Sequence, residues 1–124
     1  MSKGNFLQNF GSVEDICKAY DVDSSVLKDA KIYIAWYGYG NYCGSSFVLF
    51  EQNGKLYEVN GSHCSCNGLE GQWDAEETSW EVVKGYINDY RFDGEYEGSE
   101  EARNLLTKIV DEHLNKEEKC FIWF

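Results

Sequence analysis

The stretch that decides the fold is Ser46-Phe47-Val48-Leu49-Phe50-Glu51-Gln52-Asn53-Gly54-Lys55-Leu56-Tyr57-Glu58-Val59-Asn60. Two β-branched and aromatic runs flank Asn53-Gly54, the dipeptide best suited to a two-residue hairpin turn, because both central residues must take positive φ. The runs predict strands over residues 46–51 and 55–60. With a two-residue turn, Gln52 pairs with Lys55 and paired residue numbers sum to 107. Phe50 then faces Tyr57, Val48 faces Val59 and, if the ladder continues, Cys43 faces Cys64.

Working outward, residues 31–37 (Lys-Ile-Tyr-Ile-Ala-Trp-Tyr) read as a central strand, with apolar character on both faces. Gly38-Tyr39-Gly40-Asn41-Tyr42 reads as an aromatic loop. Before it, Ser12 and Asp15 form a capping-box-like pair opening a helix to about Tyr20, and Val13, Ile16, Cys17 and Tyr20 fall on its inner stripe. Asp23 opens a shorter helical turn through Val26, Leu27 and Lys28. After the hairpin, Thr78 with Glu81 predicts a helix to about Asn88, with Trp80, Val83 and Ile87 inward. Ser99 caps a last helix whose stripe is Leu105, Ile109 and either Leu106 or Val110. Residues 116–119 break that pattern, and Cys120-Phe121-Ile122-Trp123-Phe124 is expected to dock as an edge strand. The expected fold is one α+β domain over residues 1–124. It holds a three- to four-stranded antiparallel sheet around the hairpin, flanked by N-terminal and C-terminal helices.

The chain has 124 residues, 43% hydrophobic and 16% aromatic, with no proline. That is enough apolar material for one core and too much for a disordered chain. The net charge is −11. Between Glu70 and Glu101 eleven acids stand against Lys84 and Arg91, a balance of −9 that carries most of the excess. Such a surface repels phosphate, which argues against direct nucleic-acid or anionic-membrane binding and for a basic protein partner. No run has signal-peptide or membrane-spanning length, and five cysteines suit reduced thiols better than a disulfide framework. A cytoplasmic location is expected.

Directly opposed strand residues have Cβ atoms about 4.5–5.5 Å apart. Cys43 and Cys64 would therefore lie near disulfide reach and at a spacing suited to a shared metal, with Cys66 on the same face if the strand stays extended. His63 points the other way unless Gly61 or Ser62 bends the chain. The candidate metal site is thus Cys43, His63, Cys64 and Cys66, with zinc as the ion and His113 as an alternative ligand. Against it stand a Cys-x-Cys spacing tighter than the usual knuckle, and two glycines, Gly44 and Gly61, that invite bulges. The competing reading is small side chains in a tight turn, or a thiol pair. No phosphate loop, His-Glu-x-x-His or Gly-x-Ser-x-Gly is present, and His63 beside Cys64 in sequence is a poor nucleophile–base pair, so no catalytic residues are assigned. For partner binding the candidates are Tyr39, Tyr42 and Trp73 as apolar anchors, with Glu76, Glu77, Asp93, Glu95 and Glu97 as the charged surface.

The block Leu56-Tyr57-Glu58-Val59-Asn60-Gly61-Ser62-His63-Cys64-Ser65-Cys66-Asn67-Gly68-Leu69-Glu70-Gly71-Gln72-Trp73 is followed by Glu76-Glu77-Thr78-Ser79. Together with Ala35-Trp36-Tyr37-Gly38-Tyr39-Gly40 and Tyr42-Cys43-Gly44-Ser45-Ser46, it resembles a group of small acidic proteins encoded by phages and prophages. The resemblance spans roughly residues 30–88 and implies a viral setting, inside a host cell, rather than a reaction. In that setting, small acidic proteins without catalytic motifs often inhibit host defence or nucleic-acid-handling proteins, their carboxylates standing in for phosphates. The alternative is a small zinc- or thiol-stabilised domain with a virion or regulatory role.

Overall fold

The computed structural model describes residues 5–40, 42–64, 68–87 and 96–122. The elements run β1 (Phe6–Gln8), α1 (Val13–Tyr20), a 3-10 turn (Ser24–Leu27), β2 (Lys31–Gly40), β3 (Cys43–Gln52), β4 (Lys55–Cys64), β5 (Glu76–Glu77), α2 (Trp80–Tyr86) and α3 (Ser99–Ile122). The class is α+β, as expected. The sheet, however, has five strands in the order β1-β2-β3-β4-β5, and it is mixed, because β1 runs parallel to β2.

The hairpin forms at the predicted turn, with Asn53 and Gly54 at φ 55° and 79°. Its register is unbroken from Gln52↔Lys55 to Cys43↔Cys64. Neither Gly44 nor Gly61 makes a bulge. Gly61 instead makes room, since a Cβ there would run into the Tyr20 hydroxyl and the Leu69 side chain. The one irregularity is in β2, where Tyr33 is the extra residue between the Ile32↔Phe50 and Ile34↔Leu49 pairs. Such a bulge turns two successive side chains toward one face, and Tyr33 and Ile34 both pack with α2 and α3.

The helices do not simply precede and follow the sheet; they cover its two faces. On one face α1 and the 3-10 turn bring Ile16, Cys17, Tyr20 and Leu27 onto Ala35, Val48, Phe50 and Val59. On the other, α2 and α3 bring Val83, Ala102, Leu106 and Val110 onto Ile34, Trp36, Phe47 and Leu49. Each large apolar side chain sealed in these layers contributes about 1.5–3 kcal/mol.

Local chemistry explains the helix ends. Ser12 accepts from the Asp15 amide, as expected, while Asp15 Oδ2 takes the Gly11 amide at 2.8 Å. Asp23 accepts from the Ser25 amide to open the 3-10 turn. For α2 the cap is Ser79, accepting from the Val82 amide at 3.2 Å, and not Thr78. The Thr78 amide is committed to the Leu56 carbonyl at the edge of β4. The stripe of α3 centres on Ala102, Leu106, Ile109 and Val110, with Leu105 half-buried at its flank.

Two further expectations are corrected. Residues 120–122 continue α3 and form no edge strand; Lys-Glu-Glu-Lys at 116–119 is charged but contains only good helix formers, so nothing stops the helix there. Residues 123 and 124 lie outside the described set. The aromatic loop is mostly strand, since β2 extends to Gly40 and pairs with β3 as far as Gly40↔Cys43. Glu76 and Glu77 form a two-residue edge strand on Tyr57 and Glu58, the short charged kind that discourages further pairing.

The corrected cap is directly testable. Ser79→Ala should lower stability by about 1 kcal/mol. The Thr78 hydroxyl is buried with no hydrogen-bond partner among the described residues, so Thr78→Val should leave stability unchanged or raise it. Urea midpoints of the two variants decide between the caps.

Candidate functional site

The candidate residues gather at the end of the sheet where β2 turns into β3 and β4 stops. On one face, Tyr39, Gly44 and His63 form a row across three strands, and Tyr37, Ser46 and Gly61 form the next. Gly44 has no side chain, so the imidazole of His63 lies across β3 in the space a Cβ would occupy. There its Nε2 shares a 2.7 Å hydrogen bond with the Tyr37 hydroxyl. The His63 ring meets Tyr37 and Tyr39 edge-on, at centroid separations of 5.7 and 5.9 Å. His63 Nδ1 is buried with no hydrogen-bond partner among the described residues. Either tautomer therefore leaves a proton or a lone pair unmet on that atom.

Beneath this row the Tyr20 hydroxyl donates to Ser46 Oγ at 2.9 Å. Burial pushes the Tyr20 phenol up to about 12, against a smaller lowering by the Ser46 hydrogen bond. Burial also pushes Tyr37 well above the ordinary phenol range, reinforced by Tyr39 and by the negative charge of Glu70. These hydroxyls stay protonated and hold the layer together.

The opposite face carries the thiols. Cys43 and Cys64 face each other as the last β3–β4 pair, with their sulfurs 2.6 Å apart and Cys64 exposed. Side chains alternate along a strand, so His63 projects from the face opposite Cys64. The sheet therefore separates His63 from the two thiols. Of the expected ligands, His63 does not converge with Cys43 and Cys64, and adjacency in sequence makes no His63–Cys64 nucleophile–base pair. Cys66 lies outside the described residues, among which no three His, Cys, Asp or Glu side chains come together to hold a metal. The alternative ligand His113 lies elsewhere, stacked on Trp80 at 4.0 Å and 14°, with Nδ1 2.8 Å from the Ile109 carbonyl.

The acidic surface is anchored to the same sheet end. The Trp36 indole N–H donates to the Glu97 carbonyl at 2.8 Å, and the Glu97 amide donates to the Tyr39 carbonyl at 2.9 Å. Gly38 makes this approach possible, because a Cβ there would collide with the Glu97 carbonyl. Gly98, at φ 74°, turns the chain into α3. The result is an open depression of about 590 Å³ walled by Gln8, Tyr39, Tyr96, Glu97, Glu100 and Glu101. In the β2–β3 reversal, Tyr42 stands 89% exposed at φ 67°. Tyr39 is 45% exposed.

The other predicted contact residues are distributed differently. Trp73 is not a free anchor; it packs edge-on to Tyr20 at 5.2 Å and stacks with Phe50 at 6.0 Å. Glu76 and Glu77 are exposed but sit near the other end of the sheet, six residues down β4 from the His63 row. That is roughly 20 Å along the strands, and from Tyr39 on β2 three strand spacings add roughly 14 Å across. Asp93 and Glu95 lie outside the described residues. Every described acid from Glu70 to Glu101 is exposed. Sequence reasoning missed Tyr96, Glu100 and Glu101 as walls of the depression. Their proximity to Tyr39 depends on the Trp36–Glu97 bond across 61 positions, for which no local pattern exists.

Compared with known proteins, the chain matches no family model, no curated protein and no solved structure. No helix among the described residues is long and apolar enough to cross a membrane.

The phenols under the site predict an alkaline limit. Tyr20 unfolded has an ordinary phenol pKa near 10, and folded about 12. The native state thus keeps a proton that the unfolded chain releases. Its contribution is whole below about pH 10 and is lost as pH rises toward 12. Tyr20→Phe should flatten that limb of the urea midpoint plotted against pH, though it should lower stability at neutral pH by leaving Ser46 unmatched.

Proposed function

We propose that this chain is a non-enzymatic binding protein that docks its acidic, tyrosine-bearing sheet end onto a basic surface of another protein. In the phage setting that its central block resembles, the partner is a host protein, and the consequence is inhibition of a defence or nucleic-acid-handling activity. The observation that carries the reading is Tyr42. A non-glycine residue in the left-handed region costs roughly 1–2 kcal/mol, and asparagine or glycine would serve the same turn at less cost. The large aromatic ring is 89% exposed and contributes little to the core. Tyrosine does well at interface centres, where an amphipathic ring is buried at low entropy cost. At the same sheet end, Tyr39 and the carboxylates of Glu97, Glu100 and Glu101 line a depression with the chemistry that suits lysine and arginine side chains, and their charge accelerates and orients encounter.

The test is affinity capture from a host lysate at low salt, followed by binding measurements on the recovered partner. Tyr42→Ser should weaken binding at least about tenfold, equivalent to ~1.4 kcal/mol. Replacing Glu97, Glu100 and Glu101 by Gln should chiefly slow association and flatten its salt dependence. A partner that binds both variants like the parent, with equal affinity at low and high salt, would exclude this surface.

A further inference from the structure

We propose that Cys43 and Cys64 form a reversible cross-strand disulfide by exchange with a low-molecular-weight disulfide. This covalent link would close the sheet end beside the Tyr42 reversal. The proposal goes beyond the binding reading and does not rest on it.

Register brings the two thiols together. Gln52 and Lys55 close the Asn53-Gly54 turn and so form a hydrogen-bonded pair, and pair types alternate along an antiparallel ladder. Nine steps on, Cys43↔Cys64 is of the non-hydrogen-bonded kind. The other hairpin gives the same answer. Cys43 closes the β2–β3 reversal with Gly40, which turns its backbone N–H and C=O toward β2 and away from β4. Non-hydrogen-bonded partners have Cα atoms about 4.5 Å apart and the closer side chains, inside the Cα range that a disulfide spans. The sulfurs are accordingly 2.6 Å apart, so the link requires no rearrangement of either strand.

Access favours the same chemistry. Cys64 is exposed at the strand terminus, and Cys43 is half-buried behind it. Cys17, by contrast, lies 5% exposed in the core under α1, and burial with the nearby charges of Glu14 and Asp23 pushes its thiol up; it serves as an internal unreactive control.

With oxidised glutathione as the small disulfide, the Cys64 thiolate attacks one of its sulfurs. One glutathione thiolate leaves, and a mixed disulfide remains on Cys64. The Cys43 thiolate then attacks the Cys64 sulfur, displacing the second glutathione. Two protein thiols are oxidised, one small disulfide is reduced to two thiols, and the two protons pass from protein to glutathione. Excess reduced glutathione reverses both steps.

The experiment uses the full, reduced chain, incubated with graded ratios of oxidised to reduced glutathione, blocked with an alkylating reagent and mapped by peptide mass spectrometry. A Cys43–Cys64 linked peptide should accumulate as the ratio rises, with a loss of two hydrogens and a higher urea midpoint. Cys66→Ser and Cys120→Ser should leave that link intact. Cys43→Ser should convert the product into a glutathione adduct on Cys64. Linkage of either residue to Cys66 or Cys120 in the parent chain overturns the proposal. So does a persistent glutathione adduct without cross-link, and so do unreacted thiols at every ratio.

Discussion

Ten consecutive cross-strand pairs join β3 to β4 without a bulge, from the Asn53-Gly54 turn to the two thiols, and the rest of the molecule is arranged around that register. Because side chains alternate with a period of two, a slip of one residue would exchange every inward and outward position. Phe47 and Leu49 would leave the α2–α3 layer, while Val48 and Phe50 would leave the α1 layer. A slip would also misalign the opposed thiols, and His63 would lose the open space over Gly44. Both faces of β3 are buried along most of its length, so the sheet has no tolerant face on which an alternative register would be harmless.

With the register set, the acidic segment can remain a solvated surface while still being held in place. Its described carboxylates are exposed, and at Glu97 the chain is held through backbone atoms. The Glu97 carbonyl accepts from the Trp36 indole and the Glu97 amide bonds β2, leaving the side chain outside. This separates the structural role of residue 97 from its charge. An acidic patch anchored through its own carboxylates would have them neutralised and partly desolvated, with less field left for a partner.

The parts legible in sequence are those specified locally. The Asn-Gly turn set the strands and the Cys43–Cys64 opposition, and Ser12 and Asp23 set their helix starts. Alternation placed His63 away from the cysteines. A common metal site needed a bend at Gly61 or Ser62, and the structure uses Gly61 to admit Tyr20 and Leu69 instead. What stayed hidden is non-local. β1 is three residues long and gains its meaning by pairing with residues 35–37 far along the chain. Gly38 looks like loop punctuation but marks the close approach of the chain entering α3. Trp73, flanked by polar and acidic residues, reads as exposed until Tyr20 and Phe50 close around it. The helical cap moved by one residue because the Thr78 amide was claimed by β4.

The two ends of the sheet therefore differ in kind. The Asn53-Gly54 end is made of residues suited to their conformations, with open space around Gly54, and the nearby edge is blunted by the two glutamates of β5. At the other end, costs accumulate. Tyr42 sits in left-handed backbone, an aromatic ring faces water, a buried imidazole nitrogen lacks a partner among the described residues, and two thiols touch. Each is a departure from the residue that stability alone would favour, and departures of this sort concentrate where a protein does something besides fold. Among the described residues the Tyr42 reversal is tied to β2 through Gly40↔Cys43, to β4 through the thiol pair, and by way of Tyr39 and Glu97 to the entry to α3. An event that stiffens this reversal therefore reaches Tyr39 along β2, and through the Tyr39 carbonyl it reaches the Glu97 amide at the entry to α3.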